Sequence, residues 1–336
     1  MKVRIAEGGG GVGEVRLFLN GSSILQDTAA PIAPAPGSAP ITRSFTVKLP
    51  SGPNALRAVA FNADHSMQSD SAAATITANL PPAPKGVLHA LVVGIQEFPK
   101  RPENDLHYSV VDAQLVADTL KQYSAPLFSQ VDVKLLTTAA ETDKDHVVQA
   151  LTAMQAATGP DDEFVFYVAS HGAVVDGEYY LVTSNVSSLD GMKSEAISQE
   201  QLAGLLANIH ASKKLIIVDT CHAQPVGDAS QQAQASRGMN DATAATILSR
   251  DIGLTVLAAA TTDQEAIEGY ENHGLFTWVI ADGLGGRAAV DGLVSNFSLA
   301  DYVGAQVPPL AANLYQHKQE PTINAVGQRF PVAEVK

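Results

Sequence analysis

The spacing of apolar and polar positions in this chain changes once, near residue 86. Before that point, short stretches at 15–19, 41–49, 55–61 and 74–77 are rich in alternating apolar positions. A two-residue repeat is the mark of a half-buried strand. Asn20-Gly21 follows the first stretch and is a hairpin turn signal, and residues 50–53 form another turn. Short strands separated by turns predict a small all-β sandwich over residues 1–80. Gly8 to Gly11 reads as a flexible turn, because no Lys-Ser/Thr follows as a phosphate loop requires. Residues 29–40 are rich in Pro and Ala and read as an exposed loop. Residues 81–85 form a stiff proline-rich linker.

From residue 86 strands and helices alternate. Strands are predicted at 87–95, 131–136, 163–169, 179–182, 215–218 and 253–260. Helices are predicted at 108–123, 143–157, 198–209, 276–284 and 298–310. In the first helix Val111, Leu115, Val116 and Leu120 share one face, and Thr142 or Asp143 caps the second. Such alternation predicts an α/β fold over 86–336, a mainly parallel sheet flanked by helices on both faces. The small, polar, breaker-rich stretch 224–241 interrupts it and reads as a long loop.

Composition narrows the function classes. The chain has 336 residues and a net charge of −14, which argues against nucleic-acid binding. No run approaches the ~18 apolar residues of a membrane span, so no membrane partner is expected. No secretory signal is readable at Met1, and one cysteine suits a reducing compartment, so the expected location is cytoplasmic. One cysteine with dispersed histidines gives no zinc-ligand spacing.

Two strands end in reactive residues. Lys214-Leu-Ile-Ile-Val-Asp-Thr-Cys-His222 is an apolar run closing on Asp219, Thr220, Cys221 and His222. Residues 163–168 lead likewise into Ala169-Ser170-His171-Gly172. The C-terminal edge of a parallel sheet is where ligands bind in such folds. A thiol needs help to ionise near neutral pH, and an imidazole can supply it. His171 is the candidate base. His222 is a rival by adjacency, but neighbours on an extended chain point to opposite faces.

In these residues the segment from about 86 to 335 resembles the caspase-like cysteine peptidases (peptidase C14), and among them the bacterial metacaspase-like (orthocaspase) branch. The family's His-Gly resembles His171-Gly172, and its Asp-x-Cys-His resembles Asp219-Thr220-Cys221-His222. Its first strand and Asp-Ala helix resemble 90–95 and Val111-Asp112-Ala113. The 50 residues from His171 to Cys221 (221 − 171) match the roughly 50 of the caspase pair. Four positions depart: Ala169 and Ser170 replace the Ser and Gly of Ser-Gly-His-Gly, the glycine usual shortly after Cys-His is missing, with Gln224 following Ala223, and Ser109 stands where a cysteine is common. The β-rich start resembles the immunoglobulin-like modules that precede some bacterial caspase-like domains, in which a Gly-rich turn lies between early strands. The Gly-rich turn here falls almost at Met1, so the chain reads as beginning inside a longer protein.

The resemblance implies a cysteine endopeptidase with a Cys221/His171 dyad, acting on protein or peptide substrates and needing no cofactor for its chemistry. It implies the N–H groups of Gly172 and Cys221 as oxyanion donors. It maps the two acidic groups of the metacaspase P1 pocket onto Asp112 and Asp219, which implies cleavage after Arg or Lys. It also implies self-cleavage in the 224–250 segment, with Arg237 and Arg250 as candidate positions, and calcium as an activator at a site the sequence does not define. Competing expectations are a catalytically silent adaptor of caspase fold and a gingipain-like or separase-like relative.

Overall fold

The computed structural model describes residues 1–222, 254–259 and 266–335, apart from positions 9, 28, 34–36, 38, 65, 82–84, 177 and 326; Cys221 and His222 are described by their backbone alone. Arg237 and Arg250, the expected 224–241 loop and most of the proline-rich linker lie outside the described residues.

The N-terminal unit holds six strands: β1 (Lys2–Ile5), β2 (Val15–Leu19), β3 (Ser22–Asp27), β4 (Ile41–Ser44), β5 (Gly52–Ala60) and β6 (Ala72–Ala78). They form an antiparallel sheet in the order β3-β2-β5-β6 and a β1-β4 pair. Both sheets pack on one small core of Val3, Ile5, Leu17, Leu19, Leu56 and Ala58. Asn20 and Gly21 both adopt positive φ (52° and 95°). That is the handedness of a two-residue hairpin turn, and Leu19 pairs with Ser22 across it. The expected 41–49 strand is corrected to Ile41–Ser44. Phe45, Val47 and Leu49 still alternate and pack on the core, but the ladder ends at Ser44; Phe45 exchanges two bonds with Met1, its N–H to the Met1 carbonyl and its carbonyl to the Met1 ammonium.

The larger unit is built on β7 (Val87–Gly94), β8 (Gln130–Leu136), β9 (Glu163–Val175), β10 (Glu178–Leu181), β11 (Ile197–Ser198), β12 (Lys213–His222), β13 (Thr255–Ala258) and β15 (Thr322–Asn324). The order across the sheet is β8-β7-β9-β12-β13-β15, parallel except for β15. The lower half of β9 pairs with β7 as far as Gly94↔Ala169; its upper half turns back into an antiparallel hairpin with β10. β14 (Leu293–Ser295) and β16 (Pro331–Glu334) form a separate pair.

Helices α2 (Lys144–Ala157) and α4 (Gln199–Ala207) cover one face, where Phe164, Phe166, Ile216 and Val218 point. Helices α1 (Ser109–Ser124), α5 (Leu275–Asp282) and α6 (Asn296–Tyr315) cover the other, where Val165, Tyr167, Leu215 and Ile217 point. A short α3 (Met192–Glu195) precedes β11. The expected α/β sheet with helices on both faces is therefore present. Asp143 caps α2, its side chain accepting the His146 N–H.

Five elements have corrected boundaries. β9 and β12 run through His171 and Cys221 instead of stopping before them, because each remains the other's ladder partner. The last helix runs past the expected end at 310 to Tyr315 with Pro308 and Pro309 inside it. A proline there costs about 3 kcal/mol, and burial of Leu299, Val303, Val307 and Ala311 along the same helix offsets it. α5 stops at Asp282 and a wider turn follows at Gly283–Arg287, where Gly286 has φ 122°. β13 is held to Thr255–Ala258 by its pairing with β12.

Candidate active site

Cys221 and His171 face each other in the ladder: Cys221 pairs with His171, and His222 with Gly172. Ten consecutive rungs, from Lys213↔Glu163 to His222↔Gly172, fix that register. Gly172 is also held by β10, opposite Leu181. The sequence placed both residues at strand ends. The structure places them where β9 has just passed the end of β7.

His171 is buried. Its Nε2 lies 2.8 Å from the Asn104 carbonyl, in the turn between β7 and α1. A carbonyl only accepts, so Nε2 carries the proton and Nδ1 presents a lone pair. That Nδ1 is buried and has no hydrogen-bond partner among the described residues. The Phe98 ring lies 5.3 Å from the imidazole, centroid to centroid, and backs it. Burial lowers the His171 pKa, with the Asn104 bond opposing, so the ring is neutral near pH 7. Ser170 donates to the Val182 carbonyl at 2.7 Å and serves the hairpin.

The two expected acids meet. Asp112 sits in the first turn of α1, which packs against the end of β7. A Cβ at Gly94 would come within 2.4 Å of the Ser109 carbonyl, so only glycine lets the helix approach. Asp219 sits on β12, on the α1 and α5 side. A Cβ built on Gly274 would lie 3.0 Å from Asp112 Oδ2 and 3.3 Å from Asp219 Oδ2. The two carboxylates therefore flank one glycine, whose N–H donates to Asp112 at 3.0 and 3.2 Å.

Further partners were not legible in the sequence. His273 Nδ1 lies 2.8 Å from Asp112 Oδ1. Thr277 donates to Asp219, and the Tyr167 hydroxyl lies 2.6 Å from the Thr277 oxygen. Glu268 joins the same small pocket, lined also by Ser109 and Ser170. Glu268, His273 and Thr277 belong to the chain after β13 and α5's first turn, where no hydrophobic period or spacing links them to Asp112.

Crowding carboxylates raises their pKa values. Burial pushes Asp112 up to about 7, with the Glu268 charge adding and the Gly274 N–H opposing. Burial, then the Asp112 charge, pushes Asp219 up to about 7 as well, against the Thr277 hydroxyl. Burial also raises Glu268. A pocket of this kind gains most from a cation, which restores the favoured ionised state of all three groups.

Among the described residues, no group of three or more His, Cys, Asp or Glu side chains is arranged to hold a metal ion. Among them too, no helix is long and apolar enough to cross a membrane.

A family profile described as the caspase domain (peptidase C14) matches residues 88–332. Among solved structures, caspase-1 from Spodoptera frugiperda aligns with a TM-score of 0.49 and 13% identity, over 72% of this chain and 87% of that one. No curated protein matches the chain. The profile spans nearly three quarters of the sequence, including the whole described sheet and both strands that carry the candidate pair, and the chain belongs to the caspase-domain family of cysteine peptidases.

Proposed function

We propose that this protein is a cysteine endopeptidase that cuts after Arg or Lys, with Cys221 as nucleophile and His171 as its base. The observation that carries the dyad is the orientation of His171: Nε2 is engaged by Asn104 and Nδ1 has no partner among the described residues, on the rung opposite Cys221. Nδ1 takes the thiol proton, and the thiolate sulfur attacks the scissile carbonyl carbon. The Gly172 and Cys221 N–H groups receive the developing oxyanion. His171 then returns the proton to the leaving amine, and the thioester is hydrolysed by water with His171 again as base.

Specificity follows from the Asp112/Asp219 pair flanking Gly274, with Glu268 at the rim. A guanidinium or ammonium entering there forms charge-assisted hydrogen bonds and relieves the repulsion among the acids. An aspartate at P1 would add a fourth negative charge. A basic pocket preference fits the metacaspase-like branch, and the N-terminal β unit is assigned to the immunoglobulin-like modules that precede such domains. Self-cleavage after Arg237 or Arg250 belongs to the same proposal. Mass spectrometry of incubated protein is expected to find a Cys221-dependent cut there.

The test is a fluorogenic panel with Arg, Lys, Asp or Ala at P1, with and without calcium, for the unmodified protein and Cys221→Ala. Cleavage after Arg and Lys, lost in Cys221→Ala, is expected. Preference for Asp would sink the pocket reading. Cleavage that survives in Cys221→Ala would sink the nucleophile, and no cleavage under any condition would favour the adaptor.

A further inference from the structure

The pocket's third wall is formed where the chain returns after β13. β13 ends just before Ala259, and Ile267 and Glu268 lie beside the acids. One side chain bridges Ala259 and Ile267. Gln319, in the segment after α6, is fully buried. Its Oε1 accepts the Ile267 N–H at 2.9 Å, and its Nε2 donates to the Ala259 carbonyl at 2.9 Å.

Both contacts continue into the pocket. The Ala259 N–H donates to the Val218 carbonyl at 3.1 Å, one residue before Asp219. The Ile267 carbonyl accepts the Leu275 N–H at 2.9 Å, one residue after Gly274. A single amide thus stands between the backbone that carries Asp219 and the backbone that carries Glu268 and Gly274. A primary amide suits this position because it offers donor and acceptor in one plane and does not ionise beside three carboxylates. Replacing it with an apolar group leaves a buried N–H and a buried carbonyl without partners, and the stem can satisfy them only by shifting.

We propose that Gln319 is a positioning residue of the specificity pocket, fixing the separation of Glu268 from Asp112 and Asp219 without touching the substrate. This rests on the reading of those acids as the P1 pocket. Gln319 therefore tunes recognition of the P1 cation and leaves the Cys221/His171 pair alone, since neither of its hydrogen bonds reaches β9 or His171.

The test uses the full chain with Gln319→Met, which keeps the volume and loses both hydrogen bonds. Gln319→Asn, one methylene too short to reach both partners, is the second variant should the first fail to fold. Two peptides differing only in P1, arginine or its neutral analogue citrulline, are compared. The Arg:citrulline ratio of kcat/KM is expected to fall about tenfold or more, mainly through KM, as displacement of a positioned group by a fraction of an ångström does. Alkylation of Cys221 by iodoacetamide, which needs no P1 pocket, is expected to keep its rate. A purely structural role would lower the melting temperature and the fraction of titratable sites while leaving the ratio unchanged, and that result overturns the inference. If the unmodified protein shows no preference for arginine over citrulline, the pocket reading itself falls. If it shows one and both variants keep it, only the role of Gln319 falls.

Discussion

Among the described side chains of strand β12, two buried ones are ionisable, Lys214 near its start and Asp219 near its end, five residues and about 16 Å apart. Burial drives both toward neutrality: the Lys214 pKa is lowered well below its ordinary value, and that of Asp219 is raised. Their partners differ. Lys214 Nζ donates to the Ser23 carbonyl at 2.6 Å and the Leu206 carbonyl at 2.9 Å. Leu206 lies in the last turn of α4, where a helix favours positive charge. Ser23 belongs to β3, so this lysine also joins the N-terminal unit to the catalytic sheet, beside the Gln26 N–H bond to Asn208 at 3.0 Å. Asp219 has a hydroxyl donor but also faces like charges, Asp112 and Glu268. The lysine is met by two carbonyl acceptors, whereas the aspartate has one hydroxyl donor and two acidic neighbours. A displaced pKa alone does not separate structure from function, but the sign and identity of the neighbours do.

Substitution at Lys214 should have the largest effect, and on stability alone. Lys214→Ala leaves a cavity and two carbonyls without their donor, and is expected to cost about 3 kcal/mol or more in urea unfolding. Lys214→Met, which fills the space without charge, should cost less. A changed P1 selectivity in folded Lys214→Met would break the comparison.

Asp219→Asn should do the reverse. The loss of one charge-assisted bond is expected to lower kcat/KM for Arg peptides about hundredfold. The same change should stabilise the free protein at alkaline pH. A carboxyl whose folded pKa is raised costs nothing below its ordinary value of 3.8, and its penalty grows as pH rises to about 7. Asp219→Asn is therefore expected to raise the melting temperature at pH 8 and not at pH 3.5. A variant equally stable or less stable at both would show that the acids do not repel.

The pH profile sharpens the same contrast more gently. For Arg peptides kcat/KM should fall as pH drops through about 7, where Asp112 and Asp219 take up protons. For citrulline peptides the acid limb should lie lower, below the ordinary histidine value of 6.5, because burial lowers His171. A single shared limb would mean that the pocket does not titrate. The smallest effect is expected of Gly274→Ala. Its Cβ, 3.0 Å from Asp112 Oδ2, should weaken Arg binding severalfold, by roughly 1 kcal/mol.

Much of this was legible in the sequence for a physical reason. The runs 164–168 and 215–218 are apolar because both faces of their strands are covered, and the residues that follow them had to emerge at one sheet edge. Asp112 could be placed by resemblance to a family motif, not by any local period. Asn104, Glu268, His273 and Gln319 were silent because each acts through one or two hydrogen bonds or a close approach that only the closed fold creates. The β1 strand and the extension of α6 through two prolines were missed because packing overrode local preference.

The ten rungs between β9 and β12 bear on how this protein tolerates insertions and deletions. Side chains on a strand alternate with period two, so gaining or losing one residue within 163–171 or 213–221 does not shift His171 or Cys221 slightly; it sends one of the pair to the opposite side of the sheet. The proposed dyad is thus written in a parity code. Length changes outside these two segments leave the parity intact, and a one-residue change inside either is an all-or-none error.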